Sequence, residues 1–271
     1  MRARKIIKRG IFFLLVLSII VVSAVFTAAT IYKDQLIENF IAEMNSHLNT
    51  PVDVGEMDVS AFAHFPQVSL LLHDVKVRAS HDPDQYFLVA ERIDFSINPF
   101  SLITGNISFE NISIQQASCT LLTLPDGTIN YQIFHAQDSS ANEKTSVISI
   151  SQIQLTDVDF TYNNLQREVL VHTMAEKLRA AVEINGPVFN IWGDGRVQID
   201  SITSRQTTLI HNLGASLTSE IIYNNDTRHL TILPSIIQPE KIPVFIEGTY
   251  QLGDNQEVRI TAHTTELEAT G

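Results

Sequence analysis

A single cysteine and a shortage of positive charge beyond the first ten residues bound what this 271-residue chain can be. With only Cys119, no intrachain disulfide forms and no cysteine-based metal site is available, so Cys119 reads as a small apolar residue inside a strand. Lysine and arginine total 18, and Arg2, Arg4, Lys5, Lys8 and Arg9 take five of them. The remaining 13 face 30 Asp and Glu, a formal charge of −17 after residue 10. Such a surface excludes a nucleic-acid partner, which needs clustered Lys and Arg, and disfavours lying flat on anionic headgroups. No HExxH, CxxC, GxSxG, P-loop or GxGxxG pattern is present. His64, His73, His81 and His135 are scattered. His73 adjoins Asp74, but neighbours on a strand point to opposite faces and do not act together. The expectation is therefore no enzyme, no cofactor and no metal. Asn106, Asn111 and Asn225 open glycosylation triplets, which matter only in a eukaryotic secretory route.

What the chain does have begins with residues 11–31, IFFLLVLSIIVVSAVFTAATI, a run free of charge, proline and glycine. At about 1.5 Å per helical residue it spans roughly 30 Å, the hydrocarbon thickness of a bilayer. The basic tail 1–10 ahead of it predicts a cytoplasmic N-terminus and an exported remainder. A cleaved signal peptide is the alternative, with Thr27, Ala28 and Ala29 as a cleavage site, but its apolar core usually runs about 7 to 15 residues.

Residues 33–48 place Leu36, Ile37, Phe40, Ile41, Met44 and Leu48 on one helical face, opposite Asp34, Glu38, Asn39, Glu43 and Asn45. This predicts an amphipathic helix within 32–50, ended by Asn49, Thr50 and Pro51. Its stripe either packs on the domain that follows, or caps a β structure and steers lipid toward it through Leu36, Ile37, Phe40, Ile41 and Met44.

From residue 51 to 271 the helical period gives way to apolar and β-branched residues at period two, which predicts a mainly β, antiparallel chain. One pattern repeats. Ile107, Phe109, Ile112, Ile114, Ala117, Cys119 and Leu121 return 41 positions later as Ile148, Ile150, Ile153, Leu155, Val158, Phe160 and Tyr162. Leu70, Leu72, Val75 and Val77 precede Ile107, Phe109, Ile112 and Ile114 by 37. The reading apolar-x-apolar-x-x-apolar-x-apolar shifts the alternation by one, as a bulge does. The copies read as strands of one extended sheet of roughly 15 strands, about 70 Å at most at 4.8 Å each. Residues 80–84, 125–127, 185–187, 193–195, 223–227 and 253–255 read as turns, 137–145 as the most polar stretch and the hinge if the chain divides, and 174–182 as a short helix or a strand.

In order, the anchor, the short helix, TPVDVGEMDVS, FPQVSLLLHDVKV, LVAERIDFSINPFSLITGNISFENISI and LLTLPDGTINYQIF resemble the start of the AsmA family of bacterial envelope proteins. The features that carry it are Pro66 before its strand, the segment 99–105, and Asp126 and Gly127 followed by Asn130. The likeness covers residues 1–165, and the rest in texture only. The resemblance implies an inner-membrane anchor, an elongated, curved, taco-like β-groove in the periplasm, and a part in phospholipid transport or outer-membrane biogenesis. Membrane lipids and other envelope proteins are then the expected partners. Ile107, Phe109, Ile112, Ile114, Ile148, Ile150, Ile153, Leu155 and Phe160 are the expected lipid-groove lining, the alternative being a dry sandwich core. A non-conducting scaffold that assists outer-membrane protein assembly is the second functional reading.

Overall fold

A computed structural model describes residues 48–64, 67–97, 109–132, 148–224, 226–239, 242–251 and 257–264, together with Val16, Ile19, Ile20, Ser23, Phe26, Thr27, Ile31, Ile37, Glu38, Phe40 and Ile41. These eleven are helical; the basic tail 1–10, the rest of the run 11–31 and the rest of 32–47 lie outside the described residues, as does the stretch 137–145. Among the described residues, no helix is long and apolar enough to cross a membrane. Leu48, expected on the helix, already takes part in a β-bridge.

Twelve strands make one open sheet among the described residues. They are β1 (Val52–Asp53), β2 (Glu56–His64), β3 (Gln67–Arg78), β4 (Tyr86–Ile97), β5 (Phe109–Thr123), β6 (Ile148–Asn164), β7 (Val169–Asn185), β8 (Val188–Ser204), β9 (Thr207–Asn224), β10 (His229–Pro239), β11 (Val244–Gln251) and β12 (Val258–Thr264). Both β1 and β2 pair with one edge of β3, and from β3 onward each strand pairs with the next. Strands of 15 to 18 residues in β5 to β9 make the sheet about as long along its strands as across them. Residues 174–182 are strand, within β7.

The antiparallel expectation fails at one place: β5 and β6 pair in parallel. Their register joins Ile112 to Ile153, Ile114 to Leu155, Ala117 to Val158 and Cys119 to Phe160, each 41 residues apart. The repeat seen in the sequence is thus lateral pairing, because equal side chains occupy equal heights on adjacent parallel strands. A parallel pair requires a long crossover, which residues 124–147 supply. The sheet therefore runs unbroken past 137–145. The first copy is corrected by the register: Leu70, Leu72, Val75 and Val77 stand level with Ile112, Ile114, Ala117 and Cys119, through β4, at an offset of 42.

Each three-residue step in the pattern is an irregularity that restores the apolar side chains to one face. Asp74, Gln116 and Asp157 occupy equivalent places in β3, β5 and β6, all at positive φ (51°, 48° and 54°). In β7, the register against β8 shifts between Ala175 and Lys177. Phe109 and Ile150 precede similar shifts. The bulge also sets His73 and Asp74 on the same polar side, where strict alternation would separate them. Residues 193–195, expected as a turn, instead lie in mid-strand in β8. A Cβ at Gly195 would collide with the Lys177 carbonyl oxygen, so glycine there accommodates a close backbone approach at the bulge.

Candidate functional site: an apolar crease across the sheet

The bulges line up, and beside them runs a row of small side chains. Val75 pairs with Ala90, Ala90 with Ala117, Ala117 with Val158, Val158 with Ala175, Ala175 with Val197, Val197 with Ala215, and Ala215 with Pro239. Eight strands thus contribute one small or β-branched residue each, across about 34 Å at 4.8 Å per step. The next row is large except for Gly195 on β8: Leu72, Ile93, Ile114, Leu155 and Leu178 precede it, and Leu217 and Ile237 follow. Bulged strands bend and twist more than regular ones, and small side chains fit the inside of a bend. The result is a crease with a Leu and Ile bank.

The two halves of this crease differ. Over β3 to β7 the protein fills it itself. Val68, Leu70, Leu72, Val75, Ala90, Ile93, Ala117, Leu155, Val158 and Ala175 are buried in one cluster with Phe40, with Ile37, Met57, Phe95, Ile112, Ile114, Ile153 and Phe160 packed against it. The Phe40 and Phe95 rings lie 5.1 Å apart. Ile37 and Phe40 therefore pack on the near end of the sheet, the first of the two roles open to that stripe. Leu36 and Met44 lie outside the described residues, and Ile41 is half-buried.

Over β6 to β10 the apolar face forms a partly open cavity of about 300 Å³. Phe160, Val171, Thr173, Ala175, Leu178, Val197, Ile199, Ile202, Leu217 and Ile237 line it. Four strand steps separate Phe160 from Ile237, about 19 Å on a flat sheet, so residues this far apart share one cavity because the sheet curves. Three polar side chains over β7, β9 and β10 are satisfied by the protein. Thr173 donates to the Gln198 carbonyl (2.9 Å), Ser235 to the Leu233 carbonyl (2.7 Å), and Ser219 and Ser235 share a 2.9 Å hydrogen bond. What faces the space is hydrocarbon.

Curvature brings the two rims together. The turn between β6 and β7 carries Arg167, whose guanidinium lies 5.4 Å from the centroid of the Tyr250 ring on β11. Burial pushes the Tyr131 phenol above its ordinary value, a hydrogen bond with Thr123 opposes this, and the nearby Tyr162 and Tyr223 phenols raise it further. Tyr162 ends β6 and Tyr223 ends β9, at opposite rims. The opposite face carries the charge: Arg179 with Asp194, and His172 at 2.7 Å from Asp159 and 3.5 Å from Asp200. Among the described residues, no cluster of three or more His, Cys, Asp or Glu is placed to hold a metal.

Of the expected lining residues, Phe160 borders the cavity, while Ile112, Ile114, Ile153 and Leu155 belong to the filled half. Ile107 lies outside the described residues; Phe109, Ile148 and Ile150 are placed by their backbone in β5 and β6. The sequence reading missed Val197, Ile199, Leu217 and Ile237. Their signal was present as alternation in β8 to β10, but without a repeat to single them out.

Comparison with known proteins matches residues 1–179 to the family model described as AsmA family. No curated protein and no solved structure matches the chain. The matched segment runs from the N-terminus into β7, so it spans the filled half of the crease and reaches the cavity.

Proposed function

The chain belongs to the AsmA family, and from that premise we propose that it is an inner-membrane-anchored envelope protein whose periplasmic sheet holds phospholipid acyl chains in its crease. It serves phospholipid transport or outer-membrane biogenesis and is not an enzyme. The observation that carries the reading is the cavity over β6 to β10, concave, lined by apolar side chains and level with a row of small residues. Exposing acyl chains to water costs about 0.8 kcal/mol per methylene, so a chain of about 15 carbons gains on the order of 12 kcal/mol from such cover. At about 30 Å³ per water-sized group the cavity takes roughly ten methylenes, one tail in part. The anchor assignment is supported by the basic tail and by Val16, Ile19, Ile20, Phe26 and Ile31, helical and exposed.

One observation favours the second reading, a non-conducting scaffold. The near half of the crease is occupied by Phe40 and its neighbours, so a tail does not run the full length of the sheet while Phe40 is seated. The seated form accounts for holding; passage along the axis requires Phe40 to leave. Native mass spectrometry of the full chain, extracted in mild detergent, tests the proposal. Bound glycerophospholipid is expected, and a chain that stays lipid-free when offered phospholipid would leave only the scaffold.

A further inference from the structure

Arg167 is out of place electrostatically. In a chain this acidic, Arg78, Arg92, Arg179, Arg196 and Arg259 each meet a carboxylate, and Arg205 and Arg228, which do not among the described residues, are exposed to water. Half-buried Arg167 makes no such pair among the described residues and lies instead over the Tyr250 ring. Tyr250 adds a second anomaly: its hydroxyl oxygen is buried and has no hydrogen-bond partner among the described residues. A buried phenol without an acceptor is costly, and native proteins rarely leave one so. The guanidinium lies over the ring face and makes no hydrogen bond to the hydroxyl, so neither satisfies the other as placed; an acceptor with several oxygens would satisfy both. The turn is preset for this, since Asn164 accepts from the Arg167 backbone N–H (2.9 Å) and the Arg205 N–H donates to the Glu168 carbonyl (2.8 Å). On the other side, the Gln251 amide donates to the Thr227 carbonyl (2.7 Å), fixing the rim next to Tyr250.

We propose that Arg167 and Tyr250 form a clasp across the mouth of the groove that takes a phosphate diester, the headgroup phosphate of a lipid whose tail lies in the crease below. This rests on the acyl-chain reading above. A guanidinium stacked on an aromatic face keeps its N–H edge free for a phosphate, which it binds with paired, charge-assisted hydrogen bonds. The geometry matches an amphiphile, with donors at the rim and hydrocarbon at the floor.

The test uses the delipidated full chain in detergent, loaded with phosphatidylglycerol or with diacylglycerol of the same tails, bound lipid being counted by native mass spectrometry. Wild type is expected to prefer the phospholipid by at least about tenfold, the equivalent of one charge-assisted hydrogen bond. Arg167→Gln and Tyr250→Phe should each remove that preference and leave diacylglycerol uptake unchanged. Empty Tyr250→Phe should melt no lower than wild type, because its hydroxyl has no partner to lose. Equal uptake of both lipids by wild type, preference retained in the variants, or a lower melting temperature of empty Tyr250→Phe would overturn the clasp while leaving the groove intact. Inorganic phosphate bound through Arg167 without any lipid preference would assign the site to free phosphate and overturn the headgroup. Failure of both lipids to load would overturn the groove itself.

Discussion

Val197→Asp places a carboxylate on the floor of the crease, between Ala175 and Ala215 and against the cavity. Val197 is only half-buried, so in the empty protein water still reaches the new charge and folding loses little beyond the valine's own burial, about 1 to 2 kcal/mol. A tail lying on the floor removes that water. The neighbouring cations in the register, Arg196 and Lys177, belong to the opposite face, so the charge would be covered unpaired, at a cost of several kcal/mol. At 1.4 kcal/mol per decade, lipid affinity should fall roughly a hundredfold or more. Ser216→Asp is the control: exposed on the other face and level with Arg196, it should keep its lipid. Both variants are scored by bound lipid per chain in native mass spectra and by far-ultraviolet circular dichroism. A folded Val197→Asp that carries lipid at the wild-type level, or a Ser216→Asp that loses it equally, would refute the assigned floor.

Phe40→Ala should destabilise the sheet by about 3 to 5 kcal/mol, read as a lower denaturation midpoint, because Phe40 is buried against Phe95 and the near-end cluster; a shift under about 1 kcal/mol would mean the near end is not closed by this contact. Gly195→Ala should cost well over 1 kcal/mol through the Lys177 carbonyl, while Gly193→Ala, whose Cβ would meet nothing nearer than 4.0 Å, should melt at or above the wild-type temperature. Burial pushes the Cys119 thiol up to about 11, so a maleimide at pH 8 should label it only after unfolding. Because that folded value exceeds the unfolded one, the thiol's contribution to stability is present below about pH 9 and is lost as pH rises toward 11; a melting temperature flat across that range in wild type but not in Cys119→Ala would contradict the sign.

The crease was legible in the sequence wherever bulges recur at a fixed spacing. Leu72, Val75, Ile114, Ala117, Leu155 and Val158 announce it because each bulge inserts one residue and leaves the apolar set in phase. The register of the first copy was not legible, since apolar spacings that alternate between two and three repeat every five residues and match at both offsets, and hydrogen bonding through β4 chose 42 over 37. Parallel pairing of β5 with β6 was hidden because it depends on where a crossover lands. The Gly193 to Gly195 segment read as a turn because glycine marks both turns and close backbone approach, and only the bulged partner strand tells them apart. The meeting of Arg167 with Tyr250 has no local signal at all: curvature accumulated over five strands brings together residues 83 positions apart.

The central claim is that the crease over β6 to β10 is left open for a lipid tail. Site-specific photocrosslinking in intact cells tests it most directly, with the photoreactive residue placed in turn at Leu217 on the cavity wall and at Ser216 on the opposite face. Lipid adducts at position 217 and not at 216 are the predicted result. No adduct at 217, or equal adducts at both, would contradict the account.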